Sequence, residues 1–195
     1  MMFLPLDQAI DPFGSFIWNP AASPEPGGSG NILPTTNMQD WYHGDNGDVT
    51  LTGDGWYQYE KSDGALGTWT SGTVAPVVAG AFITLSIEIL AGTLTEHIVE
   101  LTIDSDWSGG NGQGEFTILD GPGTFGYTND GGQATVTGLS ATIPTKVKIT
   151  REVLNSGNAG VSMWPGTFAN TDGSILLRNP QIELGKVAHP FEPKP

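Results

Sequence analysis

Residues 82–90, FITLSIEIL, alternate apolar and polar side chains almost without a break. Ile83, Leu85, Ile87 and Ile89 fall on one side, and Thr84, Ser86 and Glu88 on the other. A repeat of two sends successive side chains to opposite faces, so the segment predicts a strand with one apolar and one wet face. HIVELTI (97–103) repeats the pattern with Val99, Leu101 and Ile103 inward. TKVKITREV (145–153) sets Val147, Ile149 and Val153 against Lys146, Lys148, Thr150 and Glu152. Shorter β-rich runs are DVTLT (48–52), WYQYE (56–60), GTWTSG (67–72), FTIL (116–119) and ATVT (134–137). Glycine and Asp-Gly turn signals punctuate them. SILLRNPQIEL (174–184) closes the set. No run has helical periodicity, and no segment repeats internally. Roughly ten short strands at this spacing predict two packed antiparallel sheets, an all-β sandwich of jelly-roll type.

The first thirty residues break the pattern. Phe3, Leu4, Phe13, Phe16, Ile17 and Trp18 are apolar, but Pro5, Pro12 and Pro20 interrupt any helix or central strand. The segment ends in PAASPEPGGSG, the composition of an extended linker. The chain therefore divides into an extended arm and linker, 1–30, and a β-sandwich, 31–195. Such an arm cannot form a core of its own. Its large side chains must rest on its own domain or dock on another subunit. The opening residues lack the basic region of a secretory leader, and no run of 18 apolar residues exists to span a bilayer.

Composition narrows the partners. With 28 glycines and 14 prolines, the chain suits many tight turns. It carries 21 acidic and 7 basic residues, a net charge of −14, which repels phosphate backbones and anionic lipid. Neither nucleic acid nor a membrane is an expected partner. Cysteine is absent, so disulfides, thiolate zinc and a cysteine nucleophile are excluded. The three histidines, His43, His97 and His189, lack metal-type spacing, and neither a nucleophile elbow nor a phosphate loop is present. Nothing singles out a catalytic pair among the scattered acids, and the expectation is a protein that is not an enzyme.

Two binding chemistries remain. Sugar recognition needs aromatic platforms flanked by amides and carboxylates. The eligible rings are Trp41, Tyr42, Trp56, Tyr57, Tyr59, Trp69, Trp107 and Trp164. Alternation in WYQYE pairs Tyr57 with Tyr59 on one face and Trp56 with Gln58 on the other. Trp107 follows Asp104 and Asp106 and precedes a polar glycine-rich loop containing Asn111, which makes it the leading platform. Packing in a core or subunit interface is the competing role for all these rings. Calcium is the second chemistry. Asp45 with Asp48, and Asp104 with Asp106, place oxygen ligands close together on glycine-rich loops, but neither run has the EF-hand pattern. No cofactor is expected beyond that candidate cation.

The closing segment ILLRNPQIELGKVAHPFEP (175–193) resembles the last strand of carbohydrate-binding-module-like jelly-roll domains found in bacteriophage virion proteins. Asn179, Gln181, Glu183 and Gly185, then Pro190, Phe191 and Pro193, carry the likeness. GNILPTTNMQDW (30–41), DGWYQ (54–58) and VVAGAFITLSIEILAG (77–92) are similar to earlier motifs of the same domains, in the same order. Phe82 stands where those domains often have tyrosine. The resemblance implies a virion structural protein, a capsid decoration or head fibre or a tail fibre component. It implies a homotrimer docked on capsid or tail proteins through residues 1–30 and made in the bacterial host cytoplasm. The alternative is a module of the phage tail that binds a host surface glycan.

Overall fold

The computed structural model describes residues 30–43, 47–61, 69–72, 75–106, 114–128, 132–166 and 172–195. The side chains of His43 and Asp106 and the arm residues Phe3, Leu4, Phe13, Phe16, Ile17 and Trp18 lie outside what it describes.

Among these residues the chain forms two antiparallel sheets. The first holds β1 (Tyr42–His43), β4 (Trp69–Thr70), β12 (Gly157–Pro165), β7 (His97–Ile103), β10 (Gln133–Thr137) and β9 (Thr124–Thr128), in that order. A seventh strand, β5 (Ala75–Val77), also pairs with β12. The second sheet runs β2 (Gly47–Leu51), β3 (Tyr57–Lys61), β13 (Gly173–Leu184), β6 (Phe82–Ala91), β11 (Thr145–Glu152) and β8 (Glu115–Asp120). The all-β sandwich expected from the alternation is the fold observed.

The core lies between the sheets. Ile83, Leu85, Ile87 and Ile89 of β6 join Val147 and Ile149 of β11 and Ile175, Leu177 and Ile182 of β13. Val99, Leu101 and Ile103 of β7, Val161 and Met163 of β12, and Ala134 and Val136 of β10 complete it. At one end the Tyr59 ring stacks on Trp69 at 5.5 Å, and Trp41 tilts against Trp69 at 6.1 Å. Trp69 Nε1 donates to the Met38 carbonyl at 3.0 Å, which satisfies the indole as it is buried.

One expectation about faces needs correction. The polar side of β6 is not wet: Thr84 and Ser86 are as buried as the isoleucines. The C-terminal tail covers that side. Thr84 Oγ1 donates to the Gly185 carbonyl at 2.7 Å, and Gln181 and Glu183 are buried beneath residues 189–192. Arg151, in register with Val147 and Ile149, also points into the interior, where its Nη1 donates to the Leu101 carbonyl of the other sheet at 3.2 Å.

The closing motif has a structural explanation. Between Arg178 and Gln181 the pairing with β6 shifts register, and Asn179 takes a left-handed φ of 55° there. Asparagine tolerates that conformation better than most residues, and its Nδ2 donates to Glu88 Oε1 at 3.1 Å. Beyond this bulge the Gln181 amide donates to the carbonyls of His189 and Pro190 and accepts from the Glu192 amide at 2.7 Å. Glu183 accepts from the His189 amide at 2.9 Å and lies 2.7 Å from its Nδ1. The polar residues of the motif clamp the tail to the sheet.

Candidate functional site

On β7 the residues Val99, Leu101 and Ile103 face the core, so Ile98, Glu100 and Thr102 face outward from the seven-stranded sheet. Register then assembles this outer face. In one row across the strands stand Tyr127 of β9, Thr135 of β10, Ile98 of β7 and Trp164 of β12. In the next stand Gln133 of β10, Glu100 of β7, Ser162 of β12, Thr70 of β4 and Tyr42 of β1. Directly opposed residues in such pairs are in side-chain contact range.

A bulge sets the position of Tyr127. Phe125 packs toward the core opposite Val136, and plain alternation would send Tyr127 the same way. The pairing shifts register between Thr135 and Val136, so Tyr127 emerges opposite Thr135 on the outer face, 59% exposed. Extra residues in one strand re-aim side chains in this manner. Trp164 is half-buried, and its neighbour Ile98 is only 2% exposed although it lies outside the core cluster. Tyr42 is 62% exposed at the far side of the face. With strands about 4.8 Å apart, Tyr127 and Trp164 are separated by about 14 Å across three strand spacings.

Polar groups line the row beside these rings. Gln133 Nε2 reaches Glu100 Oε2 at 3.4 Å, and the hydroxyls of Ser162 and Thr70 are 3.1 Å apart. Burial raises the Glu100 pKa above its ordinary value, while the Gln133 amide and the Arg151 guanidinium oppose that shift. The carboxylate is poised to accept hydrogen bonds from hydroxyl donors, and the amide beside it can both give and accept. Among the described residues this face presents no lysine or arginine.

The residues singled out from sequence fare differently. Tyr59 is fully buried in the Trp69 stack and is excluded as a surface platform. Tyr57 is half-buried and packs against the edge of the same core. Both face inward because β3 pairs Tyr57 with Leu177 and Tyr59 with Ile175, which line the interior. Trp41 and Trp69 are core, and Trp56 is covered by the Arg178 guanidinium at 4.2 Å. Asp104 caps the junction of β7 and β12: its two oxygens accept from the Asn158 amide and side chain, both at 2.9 Å. Those bonds hold its carboxyl below the usual range. Trp107, Asn111 and Asp45 lie outside the described residues. Asp48 is exposed on β2 opposite Glu60. Among the described residues no three histidine or acidic side chains gather to hold a metal ion. Tyr127 was missed, and Trp164 was only one ring among eight.

No protein-family model and no curated protein matches the chain. Among solved structures it is similar to the CBM22-1 xylan-binding domain of Paenibacillus barcinonensis Xyn10C, at 15% identity, 82% coverage of this chain and 94% of that one, with a TM-score of 0.43.

Proposed function

We propose that the chain is a non-catalytic glycan-binding module whose ligand lies across the outer face of the seven-stranded sheet. The carrying observation is the pair of cross-strand rows, Tyr127–Thr135–Ile98–Trp164 and Gln133–Glu100–Ser162–Thr70–Tyr42. Tyr127 and Trp164 supply apolar ring faces for the C–H side of pyranose rings, held at a fixed spacing by a rigid sheet. Glu100 and Gln133, in the adjacent row, supply acceptors and donors for hydroxyls. A carboxylate bonded by hydroxyls gains the strength of a charge-assisted hydrogen bond. The ligand is not an anionic glycan, because among the described residues this face presents no lysine or arginine and the chain carries −14 overall.

The test is a glycan array probed with the full chain, followed by titration of the best neutral oligosaccharide. Trp164→Ala and Tyr127→Ala should each weaken binding by about tenfold or more, the cost of losing one buried aromatic anchor. A blank array, or a Trp164→Ala variant that binds as the parent does, refutes the reading.

The virion setting belongs to the same proposal. There the sandwich projects from a capsid or tail as a homotrimer, the arm of residues 1–30 is the anchor, and the glycan is on the host. The arm's proline-broken apolar composition supports that role. Particles stripped of this protein should bind the full chain and not a 31–195 fragment; equal binding by both would refute the anchor.

A further inference from the structure

Four of the five accessible basic side chains of this acidic protein are on one face. Of the seven lysines and arginines, Lys61 and Arg151 are buried. Lys146 and Lys148 of β11, Arg178 of β13 and Lys186 project from the outer face of the six-stranded sheet, and Lys194 follows in the tail that covers part of it. On a chain of net charge −14, such segregation makes this the face where a negative group meets several cations.

The face also holds a pocket of about 300 Å³ lined by Asp120, Lys146, Glu88, Arg178, Ile143 and Pro144. Register explains the order of its charges. Asp120, Lys146, Glu88 and Arg178 oppose one another in turn across β8, β11, β6 and β13. Arg178 is fixed before any ligand arrives. Its Nε and Nη2 both donate to Glu88 Oε2 at 2.7 Å, and its guanidinium lies on the Trp56 ring. The other oxygen of Glu88 accepts from Asn179. The neighbouring cations are engaged as well: Lys186 rests on the Phe82 ring at 3.8 Å, and Lys148 reaches the Lys186 carbonyl. Lys146 differs. Its ammonium makes no hydrogen bond or ion pair with any described residue, although it stands in the pocket between two carboxylates.

We infer that this pocket is a second saccharide site, selective for an acidic sugar with one carboxylate and several hydroxyls. The carboxylate takes the Lys146 ammonium, Asp120 accepts from hydroxyls, and Ile143 and Pro144 pack against the apolar side of the ring. Ile143 is 56% exposed and available for that contact. Two flanking carboxylates and the overall negative charge disfavour dianions such as phosphate esters. The site does not depend on the neutral-glycan face, which is on the opposite sheet.

The experiment uses the isotope-labelled full chain and follows backbone amide shifts during titration with glucuronic acid, glucose, acetate and alanine. Glucuronic acid should shift Asp120, Ile143 and Lys146 in a saturable way, with glucose, acetate and alanine leaving them unmoved at equal concentration. Lys146→Gln should weaken the response by about tenfold or more, the loss of a charge-assisted bond. Lys148→Gln, on the same face but outside the pocket, should change it less than about twofold. Equal shifts with acetate or alanine would overturn the sugar assignment. Equal shifts with glucose would overturn the acidic selectivity, and no shift with glucuronic acid would overturn the site. Binding of neutral glycan to the other sheet should be unchanged in Lys146→Gln, so failure of one site does not register as failure of the other.

Discussion

Replacing Asn31 by alanine should destabilise the fold by about 3–5 kcal/mol, the sum expected when several buried polar groups lose partners worth about 1–3 kcal/mol each. Asn31 is 2% exposed and uses its whole amide. Its Oδ1 accepts from the Leu33 and Ile182 amides, and its Nδ2 donates to the carbonyls of Pro180 and Glu192. One side chain thus joins residues 31–33, the bulge in β13 and the tail. It also fills a gap in the sheet. β3 pairs with β13 only from Gly173 to Leu177, and beyond that the Ile32 amide bonds the Ile182 carbonyl at 2.7 Å. Alanine leaves two donors and two acceptors to find water in a packed interior. In a chain of this size each kcal/mol moves the melting point by about 2–4 °C, so a drop of about 10 °C is expected by calorimetry. Asn31→Asp should be at least as damaging, since a carboxylate cannot donate to the two carbonyls. A drop under about 3 °C in Asn31→Ala would show that the tail is held by other contacts.

The tail also marks the boundary of what the sequence discloses. Alternation in β6, β7 and β11 identified the core side correctly, since Ile83 to Ile89, Val99 to Ile103, Val147 and Ile149 all line the interior. It could not disclose that the other side of β6 would be dry. That depends on a segment a hundred residues later folding back over Thr84 and Ser86. The motif of Asn179, Gln181 and Glu183 was visible as a pattern, but its partners, the carbonyls and amides of residues 189–192, are a property of the tail's path. In WYQYE alternation sorted the rings into two sets and could not say which set was inside, because both are aromatic. Pairing with Leu177 and Ile175 decided it for Tyr57 and Tyr59, and Arg178 from another strand hid Trp56.

The candidate glycan face was less legible still. Its residues come from strands far apart in sequence, and only the order β1-β4-β12-β7-β10-β9 places Tyr42, Trp164 and Tyr127 on one surface. Strict alternation would have buried Tyr127, and the irregularity in the β9–β10 pairing reverses that. A better signal was available for β12. In GNAGVSMWP, residues 157–165, Ala159, Val161 and Met163 alternate with Asn158, Gly160, Ser162 and Trp164, which puts Trp164 on the polar side.

Acid should weaken the fold through His97, and replacing that residue by leucine should remove the effect. His97 begins β7, opposite Val136 on one side and Pro165 on the other, and is fully buried. Burial lowers its pKa from 6.5 to about 3, with the Trp164 backbone offsetting part of the shift. The folded protein therefore keeps a neutral ring across a range in which the unfolded chain binds a proton. More protons on the unfolded state mean that stability rises with pH in that window. Stability due to His97 is complete above pH 6.5 and declines as pH falls from there toward 3, by on the order of 1 kcal/mol per pH unit. Other groups titrate in the same range, among them Glu100, whose raised pKa acts in the opposite sense. Comparison with the variant isolates the histidine. Urea melts of parent and His97→Leu at intervals between pH 7 and pH 4 should give a stability difference that moves steadily in the variant's favour as pH drops. A difference constant across that range would mean that the ring takes up its proton inside the fold, and that the strand end opens enough to hydrate it.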